Sequence, residues 1–322
     1  MRALFIGFSD IVHPWYDDFL EAVGGRHEVT LFNHDQPVAA QFKNIDVVVD
    51  QGGWGTRAMI DAANGSAKLW QVIGTGLDHL DVGYILSRGI PLANTPGAFS
   101  AIALAEHAIF LMLCLSKSLY VSVKNARTGN FHKPMNEELE GNTLGLVGFG
   151  ASARELARRA SPLGMRVMAI DAVPAPKSAL DELRVEFLGG PEQLDRLLAA
   201  SDYVSLHVPL TSKTRHLIGR HAFEAMKPSA CLINVARGEI VEESALIEAL
   251  KAGRIRGAGL DVFGQEPLDP ANPLLQMDNV IATPHIAGST RGTSRRRGRA
   301  AAENIDRIAQ NLPVLHQVVA AE

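Results

Sequence analysis

The stretch Thr143–Asp171, TLGLVGFGASARELARRASPLGMRVMAID, constrains this chain more than any other. Leu144–Val147 is a short apolar run closed by a glycine, the pattern of a buried strand. Gly148, Gly150 and Ala153 follow as G-x-G-x-x-G/A, and Leu156, Ala157, Ala160 and Leu163 then carry a helical period. A second strand, Arg166–Ile170, ends at Asp171. Each part has a physical reason. Gly148 lets the chain turn sharply, and Gly150 lets the backbone approach a pyrophosphate resting on the exposed N–H groups of the helix start. Ala153 is small enough for the helix to pack on the strand. Asp171, about 20 residues on, is placed to accept hydrogen bonds from an adenosine ribose. The order of strand, turn, helix, strand and acid points to a dinucleotide. The charge of Asp171, with no Arg directly behind it, favours NAD over NADP.

A length of 322 residues predicts about two domains. The 47% apolar and 20% charged composition is that of a globular protein with a large core. A net charge of −4 gives no general attraction to nucleic acid or anionic membranes. Cys114 and Cys231 sit inside apolar runs and read as reduced core residues. The opening MRALFIGFSD has no small-residue cleavage site and reads as a first strand, and the longest apolar block, Ala108–Leu115, is too short to span a bilayer. A cytoplasmic chain is expected, with no nucleic-acid partner, no membrane partner and no metal site.

Residues 1–98 alternate strand-like pieces (Ala3–Phe8, Glu28–Phe32, Asp46–Val49, Leu69–Ile73) with helix-like ones (Pro14–Val23, Thr56–Ala63, Val82–Arg88), which predicts a small parallel α/β unit. Ala98–Ala126 is apolar on nearly every face, so one long helix is expected there, buried on more than one side between domains or in a dimer interface. From Thr143 the alternation resumes, with strands at 144–147, 166–170, 203–206, 230–235, 257–261 and 279–282. Ser289–Asn311 is helical in pattern and rich in arginine, and with an acidic net charge it reads as a solvated or interdomain face rather than a nucleic-acid surface.

In an open parallel sheet, ligands bind beyond the carboxyl ends of the strands. Three strands of the second half deliver polar residues there: Arg237 after 230–235, Asp261 and then Glu266 after 257–260, and His285 after 279–282. One Arg, one carboxylate and one His are the groups that reduction of a 2-keto acid needs. The cation holds the carboxylate and keto oxygen, and the acid protonates that oxygen. A carboxylate beside the His would hold its ring.

At these residues the sequence resembles the D-isomer-specific 2-hydroxyacid dehydrogenases, in a form like the glyoxylate and hydroxypyruvate reductases. The likeness runs over nearly the whole chain: VIGTGLDHLDV (72–82), GIPLANTPGAFSAIALAEHA (89–108), the LGLVGFG fingerprint, LHVPLTSKT (206–214), INVARGEIV (233–241), AGLDVFGQEP (258–267) and TPHIAGST (283–290). It implies an α/β fold of two Rossmann-like or flavodoxin-like domains with parallel sheets and a cleft between them. Residues 1–98 plus 289–322 would form the substrate domain and 99–288 the NAD domain. It also implies Arg237 on the substrate's carboxylate and keto oxygen, His285 as proton donor or acceptor, and Glu266 as its partner. Further substrate contacts fall to Gly53, Trp54 and the backbone of Thr75 and Gly76. NAD contacts fall to Leu104, Gly148, Phe149, Gly150, Ala151, Ser152, Asp171, His207, Val208, Pro209, Thr214, Val235, Ala236, Asp261, His285 and Gly288. Pro209 would lie near the adenine and Ala236 near the nicotinamide, with Asp261 bonding the carboxamide. The Ala98–Ala126 helix resembles the family's dimer element, so a homodimer is expected.

Departures narrow the reading. Formate dehydrogenases of this superfamily carry Gln where this chain has Glu266. The loop Asp50–Thr56 lacks the Arg that phosphoglycerate-type enzymes place there, although Arg57 is near. The expectation is therefore an NAD-dependent oxidoreductase acting on a small 2-keto acid such as glyoxylate or hydroxypyruvate. Two alternatives stand beside it: a phosphoglycerate dehydrogenase-like enzyme, and an NAD(H)-sensing binding protein of the co-repressor type, whose members keep the same Arg, Glu and His. Trp54 serves equally as a lid over a small substrate or as an anchor for its own loop.

Overall fold

The computed structural model describes residues 1–8 and 11–319. The chain divides into two compact units, Met1–Phe99 with Ser289–Glu322, and Ser100–Gly288.

The first unit is built on five parallel strands: β1 (Arg2–Ile6), β2 (Glu28–Leu31), β3 (Val47–Asp50), β4 (Leu69–Val72) and the two-residue β5 (Leu92–Ala93), in the order β2-β1-β3-β4-β5. That is the flavodoxin-like winding, with its switch point between β1 and β3. The sequence pattern missed β5, too short to show a period, and it extended β1 two residues too far. Helix Arg291–Ala309 returns to this unit and packs on helix Trp15–Val23. A Cβ at Gly298 would stand 3.2 Å from the backbone of Phe19, so the glycine sets the close approach of the two helices. Phe19 is fully buried there, worth about 2–3 kcal/mol of apolar transfer. Arg291, Arg295 and Arg299 are exposed, as a solvated face requires, while Arg296 and Arg297 are half-buried against their own unit. Arg295 pairs with Asp18, Arg296 donates to the Phe99 carbonyl, and Arg297 to the Ile73 carbonyl.

The second unit carries β6 (Thr143–Val147), β7 (Arg166–Ile170), β8 (Val185–Gly189), β9 (Tyr203–Leu206), β10 (Cys231–Asn234), β11 (Gly257–Leu260) and β12 (Val280–Ala282). All are parallel, in the order β12-β11-β10-β9-β6-β7-β8. Counted from β6 this is the Rossmann order extended by one strand, and the direction of winding reverses between β6 and β9. The sequence pattern missed β8, whose half-buried VEFLG has no clear alternation.

The expected single helix over Ala98–Ala126 is two helices, Ala101–Ser116 and Leu119–Arg127, bent by 54°. Ser118 breaks the run with φ of 47°. The first helix buries Ala105, Ala108, Leu111 and Met112 in the core of its own unit, yet leaves Ile102, Phe110 and Leu113 exposed. Among the described residues no single helix is long and apolar enough to cross a membrane. Cys114 and Cys231 are buried free thiols.

Candidate active site

Strand register decides what meets at the sheet edge of the second unit. Val147 pairs with Leu206, Leu206 with Asn234, Asn234 with Leu260 and Leu260 with Ala282. The residues that follow these five therefore leave the sheet along one row: Gly148, His207, Val235, Asp261 and Thr283.

Gly148 has φ of 92°, and a Cβ on it would stand 2.7 Å from the His207 carbonyl oxygen. Both the turn and the close approach to β9 require glycine. Gly150 is different: a Cβ there would meet nothing within 4 Å, so the space above the helix start is open. Helix Ala151–Ala160 begins there with no acidic residue in its first turn, so its first N–H groups face outward and suit an anion. The Asp171 carboxylate accepts from Phe149 N (2.6 Å) and Val173 N (2.7 Å), which fixes the fingerprint turn to the end of β7. These residues fit NAD. The Phe149 ring is buried with Arg154 over it, and its backbone N–H and carbonyl are engaged by Asp171 and Arg154. Ser152 Oγ lies 2.9 Å from His207 Nδ1, and Ser205 Oγ lies 2.9 Å from Nε2. Burial pushes the His207 pKa down to about 4, so the ring is neutral. Thr214 Oγ1 donates to the Pro209 carbonyl (2.6 Å) and closes that turn. Leu104 and Gly288 adjoin, 3.7 Å from side-chain carbon to the position of a Cβ.

Beyond β10, Asn234 is buried and organises the next turn. Its Oδ1 accepts from Ala236 N (3.0 Å) and its Nδ2 donates to the Arg237 carbonyl (2.8 Å). Val235 is buried, while Ala236 and Arg237 are half-buried at the edge. Gly238 has no room for a side chain, because a Cβ would lie 1.9 Å from the Phe263 carbonyl carbon. The Arg237 turn is thereby pressed onto the loop that carries Glu266.

Glu266 has its two oxygens on different partners. Oε1 accepts from Phe263 N (2.9 Å), and Oε2 from His285 Nδ1 (2.7 Å). A carboxylate only accepts, so Nδ1 carries the proton and Nε2 is left for other chemistry. Burial works to raise the Glu266 pKa. The hydrogen bonds from His285 and Phe263, with the charges of His285 and Arg237, outweigh it and hold the carboxyl below its usual range. Arg237, Glu266 and His285 thus belong to one constellation.

His285 sits at φ of 53°, held by N–H bonds to the carbonyls of Asp261 (2.8 Å) and Thr283 (3.0 Å). The Asp261 carboxylate, 1% exposed, accepts from Thr283 Oγ1 (2.6 Å), Ile286 N (2.9 Å) and Ala287 N (2.7 Å). Its observed work is to hold the His285 loop. His107 Nε2, from helix Ala101–Ser116, lies 2.9 Å from Thr283 Oγ1, and burial lowers the His107 pKa against the pull of Asp261. Sequence reasoning passed over Asn234, Thr283 and His107. A polar residue closing an apolar strand just before the arginine would have flagged Asn234. Nothing local marks His107.

The first unit has its own loop constellation. Asp50, fully buried, accepts from Gly53 N, Trp54 N, Gly55 N and Trp70 Nε1, each at 3.0 Å. Burial raises its pKa against the pull of these four donors. The Gly53 N–H is thus engaged by the protein itself. Gly55 packs against Trp70, whose ring would overlap a Cβ. Trp54 is 48% exposed, stacked on His79 (4.4 Å, 11°) with Phe8 edge-on at 5.4 Å. Thr95 bonds the Gly74 carbonyl and Asn94 the Thr75 carbonyl (2.9 Å). Among the described residues no acceptor faces the N–H groups of Thr75 and Gly76. Successive backbone N–H groups without an acceptor can bind an anion. Arg57, the cation nearest this loop in sequence, is paired with Asp81 at 2.6 Å.

Residues 109–287 match the family model described as D-isomer specific 2-hydroxyacid dehydrogenase, NAD binding domain. The chain is 40% identical over 265 residues to a hydroxypyruvate reductase of Thermotoga maritima, covering 81% of this chain and 84% of that one. It is 36% identical over 303 residues to a D-3-phosphoglycerate dehydrogenase of Archaeoglobus fulgidus, covering 94% of this chain but only 56% of that protein. The chain thus spans little more than half the length of that relative. The crystal structure of the holo form of Rhodotorula graminis D-mandelate dehydrogenase superposes with a TM-score of 0.84 at 30% identity, covering 100% of this chain and 98% of that one.

Proposed function

We propose that this chain, which belongs to the D-isomer-specific 2-hydroxyacid dehydrogenase family, interconverts a small 2-keto acid and its D-2-hydroxy acid using NAD(H). The observation that carries the reading is the His285–Glu266 hydrogen bond at 2.7 Å, which commits Nδ1 and leaves Nε2 for the substrate. We assign the units accordingly: Ser100–Gly288 as the NAD domain, and Met1–Phe99 with Ser289–Glu322 as the substrate domain.

The Gly148–Ser152 turn would hold the pyrophosphate and Asp171 the adenosine ribose. When bound, NADH supplies the hydride for the keto carbon. Arg237 draws negative charge onto the keto oxygen and anchors the carboxylate, and the N–H groups of Thr75 and Gly76 are assigned to the carboxylate as well. His285 gives its Nε2 proton to the keto oxygen, and Glu266 stabilises the ring through Nδ1 and returns it to the same orientation afterwards. In the reverse direction His285 takes the hydroxyl proton. With Arg57 neutralised by Asp81, the Asp50–Thr56 loop lacks a free cation for a phosphate, which supports an unphosphorylated substrate such as glyoxylate or hydroxypyruvate. We also propose a homodimer formed through the apolar face that carries Ile102, Phe110 and Leu113.

The test is the loss of NADH absorbance with glyoxylate, hydroxypyruvate, pyruvate, phenylpyruvate and 3-phosphohydroxypyruvate. Turnover with an unphosphorylated acid supports the reading, and turnover confined to the phosphorylated one redirects it to the phosphoglycerate type. Tight NADH binding with no turnover on any of them would overturn it in favour of a sensor. Sedimentation of Phe110→Lys against the parent chain tests the dimer.

A further inference from the structure

At the opposite edge of the second unit's sheet, where β10, β11 and β12 begin, a cavity of about 170 Å³ opens between the strand ends and the bend that joins helices Ala101–Ser116 and Leu119–Arg127. Cys114, Leu115 and Cys231 give it apolar walls, and Arg256, Asp278 and Asn279 give it polar ones. Arg256 is half-buried. One of its nitrogens donates to the Tyr203 hydroxyl (2.8 Å), and its guanidinium lies 5.6 Å from that ring. The guanidinium also lies beside the Cys231 thiol, its Nε is shut away from the cavity, and among the described residues no carboxylate lies within ion-pair distance of it. A half-buried cation with no carboxylate partner gains from an anion placed beside it. Asp278, exposed, lines the same cavity without reaching Arg256. Asn279 is turned to the chain, its Nδ2 donating to the Arg256 carbonyl (3.0 Å).

Two opposite charges thus face one small, otherwise apolar space without closing on each other. We propose that this cavity is a binding site for a small zwitterion of the α-amino acid class, its carboxylate on Arg256, its ammonium on Asp278 and a short side chain against the thiol and leucine walls. The volume limits the ligand to a few heavy atoms beyond the amino acid core. The site uses none of the residues assigned to catalysis or to NAD, so amino acid binding there does not depend on which acid the enzyme reduces.

Calorimetry on the whole chain, with saturating NADH, would use glycine, L-alanine and L-serine as probes, with propionate as the carboxylate alone and ethylamine as the ammonium alone. At least one amino acid should bind tenfold or more tightly than propionate and ethylamine. Asp278→Asn, an exposed change that leaves the fold alone, should remove that preference over propionate, and Arg256→Met should abolish amino acid binding. Should Arg256→Met not fold, Asp278→Asn decides alone. No amino acid binding at millimolar concentration, binding of propionate as tight as that of the amino acids, or binding unchanged in Asp278→Asn would each overturn the proposal.

Discussion

Both units fix their functional loop with one buried aspartate at the carboxyl end of a strand, but they do it over different distances along the chain. Asp50 gathers the N–H groups of Gly53, Trp54 and Gly55, three to five residues ahead of it, and adds the Trp70 indole. Asp261 gathers Thr283, Ile286 and Ala287, which lie on the far side of β12. The first device shapes a loop from within. The second clamps a loop delivered by another strand, so it works only once the sheet has formed. Glu266 differs from both aspartates. Its side chain is 31% exposed and gives one oxygen to a backbone N–H and the other to an imidazole. A carboxylate fully engaged by its own chain is scaffold, and one shared with a titratable ring at the surface is what the proposed proton transfer needs.

The largest expected effect is on the clamped loop. His285→Ala should lower kcat by about 10²–10⁴-fold, the usual value of a general acid, with NADH affinity kept within a few-fold. Steady-state kinetics beside an NADH titration checks this, and loss of NADH binding would count against the assigned role. The aspartates themselves come next. Asp50→Asn and Asp261→Asn each turn a charged acceptor into a group that also presents donors to donors, and each should cost roughly 3 kcal/mol of stability in denaturant melts. Their kinetic signatures should part company. Asp50→Asn should raise the keto-acid KM, and Asp261→Asn should lower kcat because His285 loses its support. Identical signatures would dissolve the distinction between the two loops.

That same difference in sequence distance explains what could be read from the sequence. The fingerprint turn, the strands of the second half other than β8 and the order Arg237, Glu266, His285 follow from local periodicity and from polar residues placed at strand ends. Asp50 was visible in the same way, as an acid closing the apolar Val47–Val49 before Gly52-Gly53, but a loop that bonds its own aspartate leaves no periodic signature. Register supplied the rest. Only the pairing of Leu260 with Ala282 brings Asp261 beside the Thr283 loop, and only the packing of helix Ala101–Ser116 puts His107 against Thr283. The break at Ser118 was hidden because Lys117 and Ser118 are tolerable helix residues, and a left-handed φ at serine has no sequence mark.

A smaller effect distinguishes the fingerprint turn from both loops. His207 joins Ser152 to Ser205 as a neutral ring with a pKa of about 4, against 6.5 for a free imidazole. Between those two values the unfolded chain binds a proton at this position that the folded protein does not. Stability therefore falls as pH drops from 6.5 to 4, by up to ~3 kcal/mol from this group, and His207 contributes no slope above that window. His207→Gln, which keeps a donor and an acceptor for the two serines, should flatten the pH dependence of the melting midpoint across that interval. An unchanged slope would mean that the imidazole is not held neutral.

Trp54 provides the finest test of how the first loop is held. Its backbone N–H is fixed by Asp50, while its ring stacks on His79 and meets the edge of Phe8. Aromatic pairs of this kind are worth about 0.5–1.5 kcal/mol beyond burial, and the ring is already half in water. If the aspartate alone sets the backbone, Trp54→Ala should cost only about 1 kcal/mol in denaturant melts and leave the His285-dependent kcat intact for the smallest keto acid. Its KM for phenylpyruvate should change more than its KM for glyoxylate, because a ring fixed between Phe8 and His79 can act on a substrate side chain and glyoxylate has none. A loss comparable to that of Asp50→Asn would instead make the stacked ring a second anchor of the loop, and the aspartate would no longer be its sole organiser.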